Sequence, residues 1–179
     1  MINIKHQLHV LICRVLLRRP YIRVGKNFTF GRGTVFWAPN HLVIGNDCYI
    51  GKYCTIETDA IIGNDVLIAN NVGLIGRYDH DYSQVGVPIR KAPHISSRDY
   101  RFKGKGLSIR IENDVWIGFG SILLSGITIG RGSIVAAGSV VTTDVQPYSI
   151  VAGNPAHFIS FRFTDAQQAM HERILGIQS

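Results

Sequence analysis

The chain carries 179 residues, with nineteen lysines and arginines against twelve aspartates and glutamates, for a formal net charge of +7. This length suffices for one substantial core and calls for no second domain. The basic residues are scattered and no nucleic-acid-binding motif accompanies them, so the charge points to an anionic small ligand or acceptor and not to nucleic acid. Cys13, Cys48 and Cys54 make an odd count that argues against a disulfide framework.

Residues 1–23 read as a helical cap. Ile4, Leu8, Leu11, Ile12, Val15 and Leu16 recur at roughly helical spacing, with Lys5, Arg14, Arg18 and Arg19 among them. The apolar runs are far shorter than the ~20 residues of a membrane span and no small-residue cleavage site follows, so secretion is not expected and the reading is cytoplasmic. Packing over the open end of the domain that follows is the expected role. A basic amphipathic helix also suits peripheral contact with an anionic membrane surface.

From residue 24 to residue 163 a six-residue cycle dominates. Two hexads open at Val24-Gly25 and Phe30-Gly31, and the register shifts over Phe36-Trp37-Ala38-Pro39-Asn40. An aliphatic then returns at Ile44, Ile50, Ile56, Ile62, Ile68 and Leu74, and again at Ile111, Ile117, Leu123, Ile129, Val135 and Val141. Gly commonly follows it, and the fourth position after it is small or β-branched, as at Cys48, Cys54, Ala60, Ser121 and Ser133. A six-residue step would wander around a helix of 3.6 residues per turn and bury nothing continuous. In a strand, the aliphatic and the residue four later share a face, and the Gly-led pair between them makes a corner. Three such sides close into a triangular coil, and stacked coils place like residues above like. An all-β parallel β-helix is therefore predicted, with Cys48 and Cys54 as small interior residues.

The cycle breaks between Leu74 and Ile111, a step of thirty-seven residues where a hexad takes six. An excursion of about residues 77–110 is long for a connection in a compact domain, and such segments tend to be functional. It opens with Arg77-Tyr78-Asp79-His80-Asp81-Tyr82. Imidazole is the side chain best suited to take a proton near neutral pH, so His80 is the candidate general base. Asp79 or Asp81 would orient its ring or balance its charge, and His94, deeper in the excursion, is the reserve candidate. The segment also carries Arg90, Lys91, Arg98, Arg101, Lys103 and Lys105, a set able to receive an anionic glycan or a pyrophosphate-linked sugar. Past the repeats, Pro147 and Gly153-Asn154-Pro155 stop the coil. Thr164-Asp165-Ala166-Gln167 has the form of a capping box opening a helix within 164–179.

Taken in order, the hexads, Asp79-His80-Asp81, Asp114-Val115-Trp116-Ile117-Gly118, Ala137-Gly138-Ser139-Val140-Val141-Thr142 and Val151-Ala152-Gly153-Asn154-Pro155-Ala156 resemble the hexapeptide-repeat acyltransferases. The likeness covers about residues 24–163 and is strongest to sugar and polysaccharide O-acetyltransferases of the colanic-acid and maltose or galactoside type. It implies a left-handed parallel β-helix, acetyl-CoA as acyl donor, no metal, and a homotrimer with active sites between adjacent prisms. It places cofactor contacts at Gly120, Ala137, Gly138, Thr142, Thr143, Asn154 and Pro155, and acceptor contacts at Tyr78, Tyr82 and Trp116. Trp116 suits a subunit interface equally. With His80 acting directly on the acceptor, no acyl-enzyme is implied.

Two positions depart from the family pattern: Thr143 stands where lysine is common, and His157 where lysine or arginine is common. Arg131, Arg162 or a neighbouring subunit is then expected to supply positive charge for CoA phosphates. The implied reaction is O-acetylation of a sugar hydroxyl in polysaccharide or surface-glycan biosynthesis, with xenobiotic (antibiotic) acetylation on the same scaffold as the alternative. A γ-type carbonic anhydrase on this prism would need three histidines around zinc, and only His80 is well placed. An ice-binding solenoid would need a flat array of repeated threonines, which the sequence lacks.

Overall fold

The computed structural model describes residues 4–176. After helix α1 (Ile4–Leu16), the chain winds through β1 (Ile22–Val24), β2 (Thr29–Phe30), β3 (Val35–Trp37), β4 (Leu42–Ile44), β5 (Tyr49–Ile50), β6 (Thr55–Glu57), β7 (Asp59–Ile62), β8 (Leu67–Ile68) and β9 (Gly73–Ile75). It resumes in β10 (Ser108–Ile111), β11 (Trp116–Ile117), β12 (Ile122–Leu124), β13 (Ile127–Ile129), β14 (Ile134–Val135), β15 (Val140–Val141) and β16 (Ser149–Gly153), then ends in β17 (Ala156–Phe161) and α2 (Asp165–Ile174). Strands three apart pair in parallel, and β14 with β16 two apart, to build three faces: β1-β4-β7-β10-β13, β2-β5-β8-β11-β14-β16 and β3-β6-β9-β12-β15. The molecule is the parallel β-helix that the hexads predict, with the left hand that the resemblance implies.

The register shows why the hexad is fixed. Ile44 pairs with Ile62, Ile62 with Ile111, and Ile111 with Ile129, while Ile50, Ile68, Ile117 and Val135 stack on the second face and Ile56, Leu74, Leu123 and Val141 on the third. Every one of these side chains is buried. The glycine after the aliphatic is set by close approach of the next coil: a Cβ on Gly118 would lie 2.5 Å from the backbone nitrogen of Ala137. The small column has a polar duty that its size alone does not reveal. Cys48 Sγ donates to Gly63 O (3.0 Å) and Cys54 Sγ to Ala69 O (3.1 Å), as Ser121 Oγ does to Ala136 O (3.0 Å) and Ser133 Oγ to Gln146 O (2.8 Å). Burial pushes both thiols up from their ordinary range and keeps them protonated donors. At one corner, the side-chain oxygens of Asn46, Asn64 and Asn113 each accept a backbone N–H from the coil before, forming a ladder.

Two stretches of chain leave this path, and both leave at the corner that follows the third face. The shorter is residues 38–41, which absorbs the predicted register shift; Phe36 and Trp37 stay in β3, with Phe36 paired to Ile56. The buried Asp59 carboxylate holds the detour in place, accepting from Asn40 N (2.8 Å), Asn40 Nδ2 (2.7 Å) and His41 N (2.9 Å). The longer stretch runs between β9 and β10, over residues 76–107. Residues 108–110, expected in the excursion, instead begin β10, because Ile109 and Ile111 fill the interior opposite Ala60 and Ile62.

The coil continues one strand beyond Pro147, since β16 pairs with β14. The chain then reverses at Asn154-Pro155 into the antiparallel β17. α2 has the predicted capping box at Thr164 and Gln167 and packs back on the prism, where Arg162 Nη1 (2.7 Å) and His171 Nε2 (3.0 Å) both reach Asp114 Oδ2.

α1 caps the prism through a face other than the expected one. Val10, Cys13 and Leu17, spaced by three and four, are buried there, and α1 lies against β2. Leu8, Leu11, Ile12, Val15 and Leu16 are exposed; the side chain of Ile4 lies outside the described residues. The helix is apolar along two sides, and the prism end covers only one.

Asp59→Ala should destabilise the fold by about 1 kcal/mol, since it removes the acceptor of the Asn40 and His41 N–H groups at a part-buried corner. Equilibrium urea unfolding measures this, and the near-isosteric Asp59→Asn should recover part of the loss.

Candidate active site

The excursion is an ordered structure with its own small core. Tyr100 is buried, its hydroxyl donates to Tyr78 O and accepts from Gly104 N (2.9 Å), and burial raises its pKa. Phe102 packs edge-on against Tyr78 (5.9 Å between centroids) and Tyr82 (4.8 Å), and Lys103 Nζ sits 5.6 Å from the Phe102 ring centre. The segment is anchored to the scaffold at its start. Arg77 N donates to Ser125 Oγ (2.9 Å), and the Arg77 guanidinium donates to Thr142 O.

This frame brings two histidines together. His80 and His94 form an antiparallel bridge, flanked by Asp81 N→Pro93 O (3.0 Å) and Ile95 N→Asp79 O (2.8 Å). Their rings meet edge-on at 4.8 Å. His80 Nδ1 is buried and has no hydrogen-bond partner. Such a nitrogen costs on the order of 1–3 kcal/mol unless a bound group fills it. His94 Nδ1 lies 2.9 Å from Ser96 Oγ.

The two flanking aspartates have separated roles. Asp79 packs against Gly76, and its pKa is raised, chiefly by burial, against the opposing pull of His94 and His80. Asp81 is solvated and turned into its own loop, accepting from Ser83 N (3.0 Å), Ser83 Oγ (2.5 Å) and Gln84 Nε2 (3.0 Å), bonds that lower its pKa. Asp79 is thus the carboxylate whose charge the two imidazoles feel.

The residues expected to hold the cofactor fall at two corners. Gly120, Ala137 and Gly138 lie between the second and third faces, where Gly138 N donates to Phe119 O (2.8 Å) and Gly120 N to Asn70 O (3.1 Å). Gly120 (φ +68°) and Gly138 (φ +72°) are required by left-handed turns, since an added Cβ would meet nothing within 4 Å. Asn154 and Pro155 project beyond Gly153, whose N–H reaches Ser139 Oγ (3.3 Å). Thr142 and Thr143 lie at the corner after the third face, on the side of the excursion. Thr143 and His157 line one hollow, with Asp144 and no lysine or arginine among its lining residues.

The two expected replacement cations are committed elsewhere. Arg162 pairs with Asp114 and Gly132 O (3.1 Å), and Arg131 Nε is 4.0 Å from Glu172. The cation actually beside Thr142 is Arg77, whose Nε is buried without a partner. Sequence reading missed it, although it opens the very motif that drew attention to His80. Trp116 is 48% exposed, in an outward column between Leu67 and Ile134, away from the histidine pair in sequence register. Among the described residues, no three His, Cys, Asp or Glu side chains are placed to hold a metal ion.

Residues 41–76 and 108–143, the blocks on either side of the excursion, match the family described as bacterial transferase hexapeptide (six repeats). The chain is a hexapeptide-repeat protein. This repeat chain is 43% identical over 91 residues to a chloramphenicol acetyltransferase of Klebsiella aerogenes, a stretch covering 51% of the chain and 43% of that relative. It spans less than half the length of the curated relatives it matches. In fold it is similar to a variant of AntD, an N-acyltransferase from Bacillus cereus in complex with dTDP-4-amino-4,6-dideoxyglucose and coenzyme A (TM-score 0.60, 14% identity, 88% of this chain and 86% of that one). It is also similar to a hexapeptide-repeat acetyltransferase from Vibrio cholerae (TM-score 0.56, 24% identity, 90% and 84%).

The raised pKa of Asp79 sets a pH-dependent stability with a definite sign. Its folded value lies above its ordinary value, so stability is greatest below about pH 4 as far as this group decides, and falls as pH rises through the folded value. Asp79→Asn should therefore melt higher than the unmodified chain at pH 7, and the difference should vanish below about pH 4. Thermal melts across that range check the sign.

Proposed function

We propose that this chain is an acetyl-CoA-dependent O-acetyltransferase in which His80 is the general base. The observation that carries the reading is His80 itself, set by the excursion against His94 with Nδ1 buried and unpaired, beside a carboxyl group that both imidazoles influence. A thioester is already activated, so the protein needs to place a hydroxyl beside it, take its proton and stabilise the oxyanion. His80 takes the proton as the acceptor oxygen attacks the thioester carbonyl, then returns it to the departing thiol sulfur as the C–S bond breaks. Asp79 balances the transient imidazolium. Gly118 N and Gly120 N are already bonded to Val135 O and Asn70 O, so the oxyanion needs another donor, and Arg77 is the nearest cation for a phosphate at the Thr142 corner. The buried, protonated thiols of Cys48 and Cys54 are occupied as structural donors, which favours direct transfer over an acyl-enzyme.

For the acceptor, the Tyr78-Tyr82-Phe102 cluster and the cations Arg98, Arg101, Lys103 and Lys105 favour a sugar hydroxyl on an anionic glycan, as in polysaccharide synthesis. The match to a chloramphenicol acetyltransferase favours a second reading, a hydroxyl on a xenobiotic. The outward column of Tyr49, Leu67 and Trp116 suits a homotrimer with sites between prisms, and three free buried cysteines suit the cytoplasm.

Thiol release from acetyl-CoA against a panel of sugars, glycan intermediates and chloramphenicol separates the two readings. His80→Ala should keep its circular dichroism and lose at least ~100-fold in rate. A stoichiometric burst of CoA without acceptor, or full activity in the variant, would overturn this assignment.

A further inference from the structure

The charge of this chain is segregated in a way its overall count conceals. Lys5, Arg14, Arg18, Arg19, Arg23, Lys26 and Arg32 all precede Asp47, the first acidic residue. The remaining twelve basic residues are matched by all twelve acidic ones, so the first 46 residues hold the entire net charge of +7. In space these residues are gathered at one end of the prism, because β1, β2 and β3 are the terminal strands of their faces. Arg18, Arg19, Arg23, Lys26 and Arg32 are all exposed.

The same end carries the unpartnered side of α1. Val10, Cys13 and Leu17 face the prism, while Leu8, Leu11, Ile12, Val15 and Leu16 stand on the other side, with Leu11 58% and Leu16 63% exposed. Their spacing by three, one, three and one residues makes a continuous aliphatic stripe. Among the described residues no helix is long and apolar enough to cross a bilayer, so this stripe can enter only the interface.

We propose that this end of the molecule docks on an anionic lipid bilayer, with α1 lying in the plane of the membrane. The aliphatic stripe enters the boundary between headgroups and acyl chains, and the surrounding arginines and lysines meet lipid phosphates. Asp47, beside Gln7 and Asn27, is an acid at this end, against exposed Arg18, Arg19, Arg23, Lys26 and Arg32; an aliphatic stripe with such an excess of basic surroundings is the pattern that binds anionic membrane surfaces. A protein partner would need an acidic, apolar groove, whereas the bilayer supplies both features over any area. The inference is independent of the acyl-transfer reading, since it uses none of the residues of that site.

The test is co-sedimentation of the full chain with vesicles of phosphatidylcholine alone or with about 30% phosphatidylglycerol, at low and high salt. Binding should require the anionic lipid and weaken with salt. The double substitution Leu11→Asp with Ile12→Asp should lower partitioning at least ~10-fold, and Arg18→Glu with Arg19→Glu should do the same. All four positions are exposed, so circular dichroism should be unchanged in both variants. Equal binding to neutral vesicles, no binding by the unsubstituted chain, or unaltered binding by both variants would overturn the proposal. So would a smaller oligomer on Leu11→Asp with Ile12→Asp from a chain that ignores vesicles, which would place the stripe between copies.

Discussion

Each coil of this molecule satisfies its backbone through the coil after it, and that dependence governs the rest. Gly45 N reaches Ile62 O (2.8 Å), Gly63 N reaches Ile111 O (2.7 Å), and Gly118 N reaches Val135 O (2.7 Å). A coil of different path would leave N–H and C=O groups unpaired over a dry interior. Chain that does not fit the triangle must therefore leave and return at one corner. Both stretches that depart, residues 38–41 and 76–107, leave at the same corner, and they meet there. Pro39 and Asn40 from one line a cleft with Ile95 and Gly106 from the other, and Asp79 stands at its inner end. The candidate site is thus at the corner where the solenoid's rule is broken twice, two coils apart.

That rule also explains what could be read in advance. Ile44 through Val141 were legible because one physical constraint recurs at every sixth position, and the register pairs these residues as the periodicity requires. The break at Leu74 was legible for the same reason. What lay within it was not, because the excursion has no period. The pairing of His80 with His94 depends on a bridge between segments fourteen residues apart, and Tyr100 and Phe102 look in sequence like any loop aromatics. Arg77 was overlooked because its partner, Thr142, is sixty-five residues away. The face of α1 was misjudged because Val10, Cys13 and Leu17 share helical spacing with the exposed stripe, and periodicity alone does not say which side meets the protein.

This corner holds two of the buried polar atoms that lack a hydrogen-bond partner among the described residues; Arg131 Nε, Tyr148 Oη and Ser149 Oγ, near β16 and α2, are the others. His80 Nδ1 and Arg77 Nε are both buried and unpaired, and Asp79 holds its proton more tightly than a free carboxyl. The small interior column shows the opposite habit: the thiols of Cys48 and Cys54 and the hydroxyls of Ser121 and Ser133 are each spent on a carbonyl of the next coil. Local strain of this sort persists where surrounding structure over-determines it, and the stacked coils supply that determination from Ser125 and Thr142 below.

The corner that releases the long excursion also receives it back, and Ile75 and Ser108 resume neighbouring places on the prism. The entropy of closing a loop grows only slowly with its length, so residues added between those points burden the fold little. Because Tyr100, Phe102 and their neighbours pack on one another, such a segment can be lengthened, shortened or rewritten as a unit while β9 and β10 keep their register. A chain built in this manner can change what it receives through one contiguous stretch of its gene, leaving the rest of the molecule unaltered.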